Sequence, residues 1–198
     1  MDDSRSWARN EFGQAELQDE RRRTRLVRMA TLLAQRPAGA VSDVFEHAAD
    51  RQGAYDFLSN EAIRSEAILG AAARTSVGRC AGHEFAYVVV DGTTLTLRDP
   101  SRTKPLGRVG ASNLWARGLK AIDAFAVTSD GVPAGIVDLQ FWARPEHRET
   151  QSRFKRRRHR STEMRFWSAS VKRATSAFEA HAPGVRPWFV MDREADEG

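Results

Sequence analysis

Cysteine occurs once in these 198 residues, at Cys80. A disulfide framework and a cysteine-built metal site are thereby excluded, and a reducing compartment is the default. No run approaches the roughly 20 apolar residues of a membrane span. The N-terminal "MDDSRSWARNEFG" has no apolar stretch of the signal-peptide kind. Internal repeats and low-complexity tracts are absent as well. Acidic residues fall short of basic ones, 26 Asp+Glu against 31 Lys+Arg, for a formal net charge of +5. What is left is an ordinary globular composition, 41% hydrophobic and 29% charged, long enough for one sizeable domain or two small ones.

The excess positive charge is clustered. "DERRRTRLVR" (19–28) and "RFKRRRHR" (153–160) are dense basic runs. Each reads equally as the solvated face of a helix or as a surface for a polyanion such as nucleic acid.

The first 80 residues have helical character. Trp7, Phe12 and Leu17 fall at roughly helical spacing, and Asp19 is placed to cap the next helix. There Leu26, Val27, Ala30, Leu33 and Ala34 form one apolar face. "RPAGA" (36–40) ends that helix, and Ser42 or Asp43 caps a third, with a break expected at Gly53. Ser65 caps a fourth that runs to about Cys80.

The period then changes. "FAYVVVDGTTLTL" (85–97) is a continuous β-branched and aromatic run, expected to be a strand buried on both faces. "AIDAFAVTSDGVPAGIVDLQFW" (121–142) predicts a hairpin turning at Ser129-Asp130-Gly131. In its second arm Val137, Leu139 and Phe141 form the expected buried face, and Asp138 and Gln140 the wet one. The residues between, 98–118, make a long basic loop. A long helix is expected over about 149–180, with Met164, Trp167, Val171, Ala174 and Phe178 as its apolar stripe. "RPWFVMD" is a last strand.

The fold class is thus α+β or α/β: a helical unit, then a mixed unit of order β-β-β-α-β, divided at residues 1–75 and 76–198. Two strands end in an aspartate, Asp91 and Asp192. Both have an ordinary reading, Asp91 with Gly92 as a turn pair and Asp192 as a helix N-cap. If the strands are neighbours, the two carboxylates emerge at one edge of the sheet. Like charges that close need a cation between them, and Mg²⁺ favours hard carboxylate oxygens completed by phosphates.

"DREAD" (192–196) directly after an apolar strand resembles the signature of bacterial insertion-sequence transposases of the DDE type, in the branch that mobilises composite resistance transposons. "WARNEFGQAELQDERRRTRL" (7–26), "GAYDFLSN" (53–60), "VVVDGTTLTL" (88–97) and "FWARP" (141–145) resemble further motifs of that family, in the family's order and across essentially the whole chain.

The resemblance implies an N-terminal helical domain that docks on transposon ends, with Arg21, Arg22 and Arg25 on the segment that contacts end DNA. It implies a ribonuclease-H-like catalytic domain in which Asp91 and Asp192 are the first two acids of the DDE triad. These acids hold Mg²⁺ or Mn²⁺ (two ions in the complete enzyme) for phosphodiester hydrolysis and strand transfer. Arg193 and Glu194 stand at the rim of that site. The partners implied are double-stranded DNA, both transposon ends and target, and a second protomer in the complete enzyme, with no membrane. The place is the bacterial cytoplasm, at the nucleoid. Gln18 departs from the pattern, standing where the family often has glycine before the aspartate.

Of the acids after Asp192, namely Glu194, Asp196 and Glu197, none is expected to serve as the third catalytic acid, which the family carries on a separate, later helix. The expectation is a truncated, inactive front portion of a transposase, with negligible strand cleavage and a last strand prone to self-association. The alternative is a non-catalytic module that recognises transposon ends.

Overall fold

The computed structural model describes residues 3–110, 116–144 and 153–191, and over 153–162 the backbone only. The chain forms two compact units, Met1–Thr75 and Ser76–Gly198.

The first unit is helical: α1 (Asp3–Phe12), α2 (Glu20–Gln35), α3 (Val41–Val44), α4 (Ala48–Leu58) and most of α5 (Ser65–Arg79). Asp19 caps α2 as expected, with extended backbone angles and its carboxylate accepting from the Arg21 N–H. Gln18, one residue earlier, sits at φ 62°. That left-handed turn is the conformation glycine adopts without cost, which gives the departure at this position a structural meaning. Leu26 and Met29 of α2 pack with Leu17, Phe45, Ala54 and Phe57 in one core, and Ala30 is buried as well. The buried face of α2 is rotated from the expected one, because Met29 enters the core while Leu33 stays exposed.

The third helix also differs from expectation. It breaks at residues 45–47, between α3 and α4, and Gly53 lies inside α4. The glycine answers a steric demand: a Cβ there would collide with the Arg25 guanidinium arriving from α2.

The second unit is built on β1 (Phe85–Thr96), the short β2 (Gly107–Arg108), β3 (Arg117–Thr128), β4 (Pro133–Trp142) and β5 (Arg186–Met191), with α6 (Arg153–His181) crossing between β4 and β5. The sheet order is β2-β3-β1-β5, and β4 also pairs with β3. β1 is antiparallel to β3 and parallel to β5, and β4 is antiparallel to β3. The hairpin turns at Thr128–Val132, where Gly131 takes φ 86°. Within the long basic loop, buried Asp99 accepts from the Thr103 and Lys104 amides at 3.2 and 3.3 Å and faces Arg117, which fixes the loop's course.

One side of the sheet carries the core. Ala86, Val88 and Val90 of β1 and Ile122, Ala124 and Ala126 of β3 are buried, as are Trp167, Ala174 and Phe178 of α6. β1 was expected to be buried on both faces and is not: Val89 is exposed, and Phe85 and Tyr87 are half-buried. Phe85 and Tyr87 gather with Trp188 of β5, Phe85 stacking on it at 4.2 Å.

β4 buries Val137 as expected and departs from the expected pattern beyond it. Asp138 is 1% exposed and Phe141 is 51% exposed. A bulge is the cause: Ala124 pairs with Asp138 and Phe125 with Ile136, so Val137 is skipped and the alternation changes phase. Asp138 is then met by Arg173 of α6, Gln140 donates to the Phe166 carbonyl, and Trp142 stacks on the Phe166 ring. α6 thereby dictates which side of β4 is inside.

Candidate nucleic-acid interface and carboxylate site

The three arginines expected at DNA occupy different settings on α2. Arg21 is at its N-terminus, 93% exposed, and its side chain returns to Asp19 with bonds of 3.4 and 3.2 Å. Those bonds hold the Asp19 carboxyl below its usual range. Arg22 is part-buried and donates to the Leu17 carbonyl at 3.3 Å. Arg25 lies over Gly53, with its guanidinium 3.8 Å from Asp50. Of the three, Arg21 alone is exposed rather than half-buried.

Two residues that sequence reasoning missed belong to the same surface. Arg28 of α2 makes a bidentate ion pair with Asp50 of α4: Nε bonds Oδ1 and Nη2 bonds Oδ2 at 2.6 Å. Asp50 is buried, so its charge needs such a partner. The Arg28 hydrogen bond is the main cause holding the Asp50 carboxyl below its usual range. The signal in the sequence is weak, because Asp50 and Arg28 are 22 residues apart and only the packing of two helices joins them.

In the second unit, Asp91 lies within β1, which runs on to Thr96 without a turn. The turn-pair reading of Asp91-Gly92 is therefore overturned; the chain is held extended by pairing with β3 up to Thr96↔Gly118. The Asp91 carboxylate is exposed and accepts from the Gly92 amide at 2.7 Å. Gly92 itself is packed from below. A Cβ there would stand 3.0 Å from the Trp167 ring of α6.

Directly across from Asp91 in the register is Asp123 of β3. Burial, and then the charge of Asp91, push its carboxyl above the usual range. Asp123 was not foreseen, because a register between strands some thirty residues apart is not written in either strand alone. On the other side of β1, the last described pair with β5 is Val90↔Met191, and the residues that follow these two in the sequence are Asp91 and Asp192. Asp192 lies outside the described residues, as do Arg193, Glu194, Asp196 and Glu197. The basic run 153–160 falls on the backbone of α6, and its side chains lie outside the description. Arg144, of the "FWARP" segment, is held by Glu163 of α6 at 2.5 and 2.7 Å.

Residues 4–63 match the family model described as transposase DNA-binding. The matched stretch contains α1 to α4 almost whole, and with them Arg21, Arg22, Arg25, Arg28 and Asp50. The match places a transposase DNA-binding domain at the N-terminus and supports DNA as its partner. Among the described residues, no helix is long and apolar enough to cross a membrane.

Proposed function

We propose that this chain is a DDE-type transposase chain: the helical unit docks on transposon-end DNA, and Asp91 and Asp192 bind divalent metal in a ribonuclease-H-like unit. The family match at 4–63 carries the first half. The sheet supports the second. β1 and β5 are parallel neighbours, and their pairing runs to the residues immediately before Asp91 and Asp192. The β-β-β-α-β order inferred from the sequence is present, with the short β2 added.

The donor set suits a hard cation. Asp91 is an exposed carboxylate at this part of the sheet, and Asp123 beside it is a carboxyl whose ionised form is disfavoured by burial and by its neighbour. A cation at this edge relieves that repulsion. Mg²⁺ or Mn²⁺, when bound, would activate a water or hydroxyl nucleophile and stabilise the leaving oxygen of a phosphodiester. The protein's own part is positional. The Gly92 amide fixes the Asp91 carboxylate, Trp167 backs Gly92 from α6, and the helical unit brings the duplex by phosphate contacts that set register and by fewer contacts that read bases.

Binding of the chain to a 30-bp duplex, followed by fluorescence anisotropy across a salt series, tests the docking half. Wild type should bind with a steep salt dependence, and Arg21→Ala/Arg22→Ala should weaken binding and flatten the slope. Failure of wild type to bind duplex would refute the reading. A non-catalytic end-binding module would show the same binding, and metal-dependent nicking sensitive to Asp91→Ala would refute that alternative.

A further inference from the structure

We infer that Arg28, with Arg25 beside it, forms a backbone-phosphate contact of the DNA-binding unit, and that Asp50 is the positioning residue that aims both guanidinium groups. This rests on the DNA-binding reading above and adds residues to it.

Asp50 carries one negative charge and faces two cations, so the cluster keeps a net positive charge at the surface. Its carboxylate is sunk between α2 and α4 with its side chain 9% exposed. Arg28 remains 56% exposed and Arg25 38% exposed. Arg28 uses Nε and Nη2 on Asp50. That leaves its Nη1 group, with two N–H donors, without a partner among the described residues. A guanidinium presents five donors in a rigid fork. One edge fixed by a buried carboxylate leaves another edge pre-oriented outward, the geometry that suits a phosphate oxygen.

Arg25 reaches the same acid only because residue 53 is glycine, which leaves the space the guanidinium crosses. α2 therefore presents Arg21, Arg25 and Arg28 at positions three or four residues apart, a repeat that brings side chains to neighbouring places on a helix. Arg21 and Arg25 are two of the residues placed at DNA by resemblance, and Arg28 extends that row by a further turn.

The test uses the full chain and a mixed-sequence 30-bp duplex, since a phosphate contact does not depend on base sequence. Affinity is read by anisotropy between 50 and 300 mM NaCl, on the order of the range where counterion release is resolved. Arg28→Ala should weaken binding on the order of tenfold and make the salt slope shallower by about 0.9, the value of one lost phosphate contact. Arg28→Lys keeps the charge but not the fork; it should preserve the slope and lose a few-fold in affinity, on the scale of a single weakened bond. Asp50→Asn should also weaken binding, although it adds a net positive charge. A purely electrostatic role would predict the reverse.

Circular dichroism melts confirm that each variant is folded, and if Asp50→Asn is not, Arg28→Lys decides the positioning role. An unchanged affinity and slope in Arg28→Ala, with wild type bound, would overturn the inference and leave the ion pair as a clamp between helices. Tighter binding by folded Asp50→Asn would overturn the positioning role. Absence of binding by wild type would overturn the underlying reading as well.

Discussion

Arg173→Ala is a severe change at a residue half open to water. The partner explains why. Asp138 is 1% exposed, and three donors reach it: Arg173 Nε at 2.7 Å, Arg173 Nη2 at 3.1 Å and Gln140 Nε2 at 3.1 Å. Truncating Arg173 removes both charged donors and leaves a buried carboxylate on one neutral amide. Breaking a buried pair from one side costs about 3–5 kcal/mol. Arg173 is itself 49% exposed, so solvent screens part of that attraction and hydrates Asp138 once the side chain is cut. A discounted loss of roughly 2–3 kcal/mol follows. For a unit of this size the melting temperature should fall by roughly 10 °C.

Urea unfolding of both proteins, monitored by circular dichroism, measures the difference. The double change Asp138→Leu/Arg173→Met should recover most of the loss, since an apolar pair of similar size carries no stranded charge. An Arg173→Ala variant within about 0.5 kcal/mol of wild type, the usual range of a surface change, would refute the reasoning. The consequence reaches the carboxylate site, because α6 is tied to β4 by this pair and supplies the Trp167 that backs Gly92.

Gln18→Gly should stabilise the helical unit by up to about 1 kcal/mol, since glycine takes the left-handed turn at φ 62° without strain; a loss in urea titration would contradict it. For Asp123, a carboxyl raised in the folded state binds more protons than in the unfolded one, so stability falls as pH rises from about 3.9, the unfolded value, through the folded one. Asp123→Asn should therefore gain on wild type between pH 3 and pH 7 in EDTA, and a pH-independent difference would rule this out. β5 has one strand partner among the described residues and exposes Trp188, Val190 and Met191. Light scattering of the 198-residue chain should show self-association that Val190→Lys reduces, and a clean monomer at high micromolar concentration would count against an aggregation-prone edge.

Local pattern carried the elements and failed at their relations. The β-branched run around Val88, the Ser129-Asp130-Gly131 turn and the Trp167/Ala174/Phe178 stripe each express a period or a turn chemistry, and each was legible in the sequence. So was the Asp19 cap, which depends on its own neighbours. Val137 of β4 is buried as the alternation requires, but the residues after it change face because a bulge there shifts the phase, and because Arg173 reaches a charged residue, Asp138, and makes it a buried one. Gly53 lies inside α4 rather than at a break, because its place is set by Arg25, on another helix. The same limit hid half of the candidate site. Asp91 announced itself at the end of an apolar run, whereas Asp123 opposite it and Asp50 beneath Arg28 became visible only through pairing register and helix packing.

The most direct measurement is a titration of Mn²⁺ into the chain, with binding read by calorimetry and by loss of the free-ion electron paramagnetic resonance signal. Asp91→Ala and Asp192→Ala are run beside wild type, each checked for folding by its melt. If the two aspartates form one cation site, wild type binds Mn²⁺ and each single substitution abolishes the same binding event, with competition by Mg²⁺. Equal binding in wild type and both variants would contradict a shared carboxylate site and leave the chain as a DNA-binding protein.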